Sequence, residues 1–226
     1  NDVNVQIIVN AINNLAGANG TTIDWAVTSN YRQGIDADMA QLVNEMNAGS
    51  VGALLIHGVN PAYDYFDAKK FADGIKKVGV TVSFNDRYDE TTQLCKYLVP
   101  DHHFLESWGD AEGRTGHFAF IQPTIAPLFK TRAFQASLLS WSGNTTTWED
   151  YLKGEWVAKL GSQEAWDKTL QDGVIEPQAG AALAGASFTA DVATAAAKIS
   201  APKNAGLEVV LYEKVAIGSG RLANNP

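Results

Sequence analysis

His102, His103, Glu106, Asp110 and His117 are all metal-ligating residue types, and Ser107 lies among them. A zinc or iron site needs ligands whose spacing makes them converge, such as two histidines four apart on one helix face with a glutamate beside them. In the stretch "YLVPDHHFLESWGD", residues 97 to 110, the two histidines are adjacent, and adjacent side chains diverge on any regular element. Ser107, His103 and Asp110 supply the types of a nucleophilic triad, yet no G-x-S-x-G elbow presents the serine. The expectation is a hydrogen-bonded corner, with no metal site and no catalytic residue. A metal-dependent hydrolase built on His102, His103 and Glu106 is the alternative that these residue types leave open.

A second candidate is "GVNPAYD", beginning at Gly58. It follows a short apolar run, its glycine lets a backbone approach a ligand, and Asn-Pro sets a rigid turn. The Asn60 amide is of a kind that binds a nucleotide or a pterin. Cys95 is the single cysteine, which excludes an internal disulfide and any cysteine-built metal or iron–sulfur cluster made by this chain alone. The net charge of −8 and the lack of a basic stripe argue against a phosphate-binding groove for nucleic acid, because that needs clustered Lys and Arg. No apolar run reaches the roughly 18 residues of a membrane span.

The elements that must carry these residues follow from periodicity. Val5, Ile8, Val9, Ile12 and Leu15 recur at helical spacing after a capping Asp2, and "GANG" ends the helix. Residues 36–48 repeat the pattern through Met39, Leu42, Val43 and Met46. "VGALLIHG" and "GVTVSFN" are continuous apolar runs, which predict strands buried on both faces; the amphipathic "FDAKKFADGIKKV" lies between them. "DETTQLCK" predicts a helical turn and "YLVP" a third strand. Strands at 52–57, 79–84 and 96–99 should therefore be parallel neighbours, the helix at 66–77 packed on one face. "HFAFIQPTIAPLF" reads as an extended segment. Three helices then carry Trp141, Trp148, Trp156 and Trp166, all expected to bury most of their surface. An alanine-rich helix and a late strand, "LEVVLYEKV", follow. The fold class is α/β: a parallel sheet with helices on both faces, plus a mainly helical C-terminal extension, divided as 1–142 and 143–226. The abrupt ends lead us to expect a piece of a longer chain.

Taken in order, the motifs resemble the molybdopterin oxidoreductase family related to dimethyl sulfoxide reductase. They are Gly58, Asn60 and Pro61 after a strand; "DETTQLCKYLVP" with Glu90, Thr91 and Pro100; Glu106, Gly109 and "EGR" at 112–114; then "QPTIAPLFKTRAFQASLLSW". The resemblance covers roughly residues 1–142 and implies a Rossmann-like domain. It implies that Gly58, Asn60, Pro61, Glu90 and Thr91 lie in the pterin-dinucleotide region. Lys96 departs from the family's acidic residue, and Phe129-Lys130 replaces its "G-E". The wording "PDHHFLESWGDAE" and "IGSGRLANNP" is most similar to the molybdopterin-like, iron–sulfur subunit of bacterial alternative complex III. That branch implies a periplasmic location and, as partners, the other subunits of a membrane-bound respiratory complex. Its iron–sulfur clusters would lie outside this chain. Molybdopterin guanine dinucleotide belongs to the parent family, and the branch implies that none need be held here. The resulting expectation is a scaffold or pterin cradle in an electron-transfer subunit, not catalytic alone. A stand-alone protein-interaction module docking through the tryptophan helices is the alternative from another class.

Overall fold

The computed structural model describes residues 2–31, 33–176, 188–199, 206, 207, 209, 211, 212 and 214. In chain order its elements are α1 (Val3–Leu15), α2 (Asp36–Ala48), β1 (Ala53–Ile56), α3 (Pro61–Asp64), α4 (Ala68–Ile75), β2 (Val80–Ser83), β3 (Tyr97–Leu98), β4 (Gly109–Arg114), β5 (His117–Ile121), α5 (Phe134–Trp141), α6 (Trp148–Leu160), α7 (Gln163–Asp172), β6 (Val174–Ile175) and α8 (Val192–Lys198). Short 3-10 turns occupy Thr92–Leu94 and Phe104–Glu106. The architecture is α/β. Of the predicted late strand at 207–215, residues 208, 210, 213 and 215 lie outside the described residues, and the other five are in no strand.

β1, β2 and β3 form a parallel sheet in that order, with Leu55 opposite Val82 and Ser83 opposite Leu98. The predicted strand order and direction are those observed. One face turns Leu54 and Ile56 toward α2 and α4. There Val43, Met46, Ile56, Phe71, Ile75 and Val78 make a core of fully buried side chains. α2 and α4 approach closely because Gly74 has no side chain. A Cβ there would lie 2.7 Å from Asn47 Nδ2 and 3.1 Å from Met46 Cβ. The same Asn47 amide donates across to Lys70 O at 2.9 Å, so the contact is both close-packed and hydrogen-bonded. On the other face Phe84 meets Phe134 edge-on at 4.8 Å and Trp141 at 5.5 Å, which places α5 there.

The expectation that β1 is buried on both faces is corrected. Leu55 stays 48% exposed and Val80 44% exposed, because α5 covers the second face only near the carboxyl ends. An apolar run records the tendency of each residue to be buried, not whether a neighbouring layer reaches it. The tryptophans divide in the same way: Trp156 and Trp166 are buried, whereas Trp141 is 52% exposed.

The chain separates into two compact units. The larger holds residues 32–111 and 119–174, hence the parallel sheet, α2 to α7 and the corner at 101–106. Within it Phe120 packs edge-on against Trp156 and Trp166, and Trp156 Nε1 donates to Asp110 Oδ2 at 2.8 Å. Of the described residues, the smaller unit holds those within 2–31, 112–118 and 175–212. In it α1 starts where Asp2 accepts a bond from Asn4 N at 2.7 Å, and α1 packs on α8 through buried Ala11 and Ala195. Ser29 bridges Arg114 in antiparallel fashion. Among the described residues no helix is long and apolar enough to cross a membrane.

Candidate functional site

Parallel sheets present ligands beyond the carboxyl ends of their strands. For β1 that place is the turn after Ile56. All five residues of the expected pterin-dinucleotide region converge there, on two turns that face one another. Gly58 opens the first turn with φ +65, a conformation that side chains with a Cβ disfavour, and open space surrounds its Cα. Pro61 opens α3, where its missing N–H costs no helix bond.

The two turns are latched by reciprocal hydrogen bonds. Asn60 Oδ1 accepts from Thr91 N at 3.1 Å and from Thr91 Oγ1 at 2.7 Å, and Thr91 Oγ1 in turn accepts from Ala62 N at 2.9 Å. Asn60 Nδ2 donates to Glu90 Oε2 at 2.7 Å, and this bond holds the Glu90 carboxyl below its ordinary range. Asn85 repeats the scheme: its Oδ1 accepts from Gly58 N, and its Nδ2 donates to Val59 O and Asp89 Oδ2. Asp89 Oδ1 then accepts from Thr92 N at 2.7 Å. Thr91 is fully buried and Asn85 nearly so. The sequence reading missed Asn85 and Asp89; an Asn directly after a buried strand was the available signal.

A cleft of about 570 Å³ lies beside this latch. Leu54, Leu55, Ile56 and His57 line it from β1, Met39 and Leu42 from α2, and Asp64 and Tyr65 from the end of α3. Among the described residues lining it there is no Lys or Arg. The backbone N–H groups of Gly58, Ala62, Thr91 and Thr92 already donate to protein oxygens. Pyrophosphate needs free backbone N–H groups or cations, so these residues do not fit the anionic part of a pterin dinucleotide.

His57 was also missed. Its Nε2 lies 2.6 Å from Asp101 Oδ2, and its ring stacks on Phe134 at 4.3 Å. Asp101 Oδ1 accepts from His102 N at 2.7 Å and Phe134 N at 2.8 Å. One carboxylate thus ties the end of β1 to the start of α5.

The stretch 97–110 forms a corner held by its own side chains. His102 Nδ1 pairs with Thr131 Oγ1 at 2.6 Å. His103 accepts from Leu105 N, and Glu106 Oε2 accepts from His103 N at 3.0 Å, completing a capping box. Glu106 Oε1 accepts from Leu128 N at 3.0 Å. These backbone bonds, Leu128 first and His103 second, hold the Glu106 carboxyl below its ordinary range. Ser107 donates to Trp108 O while Asp110 accepts from Trp156, so the three candidate triad members bond elsewhere. His117 belongs to the smaller unit. Among the described residues no group of three or more His, Cys, Asp or Glu is placed to hold a metal ion. Burial pushes the Cys95 thiol up to about 11, with Asp89 adding to the effect.

No family model matches this chain, and no curated protein matches it. Among solved structures the chain is similar to acetylene hydratase from Pelobacter acetylenicus. The identity is 14% and the TM-score 0.48, over 62% of this chain and 20% of that enzyme. The chain thus spans about a fifth of the length of the structure it matches.

Proposed function

We propose that this chain is the Rossmann-like scaffold domain of a molybdopterin oxidoreductase-like, iron–sulfur electron-transfer subunit, of the kind found in bacterial alternative complex III on the periplasmic side. It contributes rigid architecture and no redox group of its own. The observation that carries this reading is the latch at the carboxyl ends of β1 and β2. Gly58, Asn60, Pro61, Glu90 and Thr91 stand together where such a sheet holds ligands, yet their polar groups bond to one another. The motif order supports the family; the engaged amides, and the lack of Lys or Arg among the described residues of the cleft, support scaffold over cradle.

The test is elemental and pterin analysis of the purified full-length protein. Iron without molybdenum, tungsten or the fluorescent pterin oxidation product is the expected result. Molybdopterin at one equivalent per chain would replace the scaffold with the cradle. Absence of iron as well would remove the electron-transfer assignment.

A further inference from the structure

The smaller unit holds a polar cavity that a scaffold does not require. Two segments far apart in the chain build its wall. Residues 24–30 lie against the turn between β4 and β5, where Ser29 pairs with Arg114 as an antiparallel bridge. Asn30 N donates to Gly113 O at 3.1 Å and Thr115 N to Thr28 O at 2.9 Å. The hydroxyls of Thr28 and Thr115 share a further bond of 2.9 Å. Directly opposite residues of an antiparallel pair project to one face with Cβ atoms about 5 Å apart, so Ser29 and Arg114 are side by side. Both segments line a cavity of about 450 Å³, through Asp24, Val27, Ser29, Gly113, Arg114 and His117. That volume falls within the range of small-molecule sites.

The lining carries opposite charges that do not neutralise one another. Asp24 and Arg114 both line the cavity, yet no ion pair joins them. Among the described residues, the Arg114 guanidinium and the His117 ring bond to no protein group. Asp24 Oδ1 accepts from Ala26 N at 2.9 Å, which fixes the carboxylate and leaves Oδ2 for another donor. Ser29 Oγ accepts from Tyr31 N at 3.3 Å, so its own proton is free to donate. Half-buried Val27 adds an apolar wall. We infer that this cavity binds a small zwitterion of the amino-acid class. Its carboxylate takes the Arg114 fork beside the Ser29 hydroxyl, its ammonium takes Asp24, and its short side chain lies on Val27. An arginine fork matches a carboxylate through two parallel bonds. Asp24 would repel a plain anion and Arg114 a plain cation, whereas a molecule with both charges satisfies both. The clasped segments hold the two charges in place beforehand, so little freedom is lost when a ligand bridges them.

The probes are L-alanine, propionate and ethylamine, titrated separately into the chain with backbone amides followed by NMR. L-Alanine carries both charges, and the other two carry one each. L-Alanine should give saturable shifts at Ser29, Gly113, Arg114 and His117 with a Kd of about 1 mM. Propionate and ethylamine should each bind about tenfold more weakly or worse. Arg114→Gln and Asp24→Asn should each raise the Kd for L-alanine about tenfold. A crossed comparison separates binding from folding: Asp24→Asn should tighten propionate binding, while Arg114→Gln abolishes it. General loss of structure cannot produce that exchange. Equal binding of the three probes, or no saturation by L-alanine up to about 10 mM, would overturn the inference. Tighter binding of propionate than of L-alanine by the unaltered chain would overturn the ligand class. The outcome is independent of the metal and pterin analysis, because no residue of this cavity belongs to the latch.

Discussion

Thr91 and Asn60 show how much of the site is internal structure. Thr91 is fully buried, and its hydroxyl donates to Asn60 while accepting from Ala62 N. Thr91→Val leaves both partners short of a bond in a buried place, at a cost of about 1–3 kcal/mol measurable by urea unfolding. Asn60→Ala should fall in the same range, because it strands Thr91 N and Glu90. Glu106 yields a pH prediction. Its folded pKa is depressed, so the stability it contributes is present above its unfolded value of 4.5 and is lost as pH falls through the lower folded value. Unfolding free energy should decline over that acid window, and Glu106→Gln should flatten the decline; an unchanged acid limb would remove the capping role. Cys95 should alkylate slowly at pH 8 and accelerate only toward pH 11 in a rate profile with iodoacetamide. The sequence made Gly58, Asn60 and Thr91 visible as types that belong together. It hid Asn85 and Asp101, whose roles depend on contacts that only the folded chain creates.

At the scale of elements, α2 and α4 are held by a contact that one methyl group would break. Gly74→Ala brings a Cβ against Asn47 and Met46, and overpacking of this kind costs about 1–3 kcal/mol. α6 is anchored by Trp156, which is buried, stacked edge-on with Phe120 and bonded to Asp110. Trp156→Ala should cost about 3–5 kcal/mol in chemical denaturation. Trp141→Ala, at an exposed position, should cost much less. The helical boundaries were visible because capping and periodicity act locally: α2 occupies residues 36–48 as expected, and Asp2 caps α1. β4 was not foreseen. Gly109–Arg114 carries charged and small residues without alternation, and it becomes a strand by pairing through a two-residue turn whose Gly116 has φ +77. The exposure of Leu55 escaped the sequence for the opposite reason, since its apolar run reads the same whether or not a layer covers it.

For the molecule as a whole, the parallel order β1-β2-β3 and its flanking helices follow from the alternation of apolar runs and amphipathic segments. The use of the carboxyl-end turns does not follow from that alternation. A G-x-N-P turn is compatible with a ligand or with a latch, and only the hydrogen-bond partners of Asn60 and Gly58 distinguish the two. Our account makes the turns a latch that stiffens a scaffold. The measurement that tests this most directly is an NMR titration of the chain with guanosine diphosphate, which carries the guanosine and the pyrophosphate of a pterin guanine dinucleotide. The amides of Gly58, Asn60, Glu90 and Thr91 should show no saturable shift up to about 1 mM, an affinity of about −4 kcal/mol. Saturable shifts at those amides, lost in Asn60→Ala while the fold persists, would contradict the account and make the turns a nucleotide cradle.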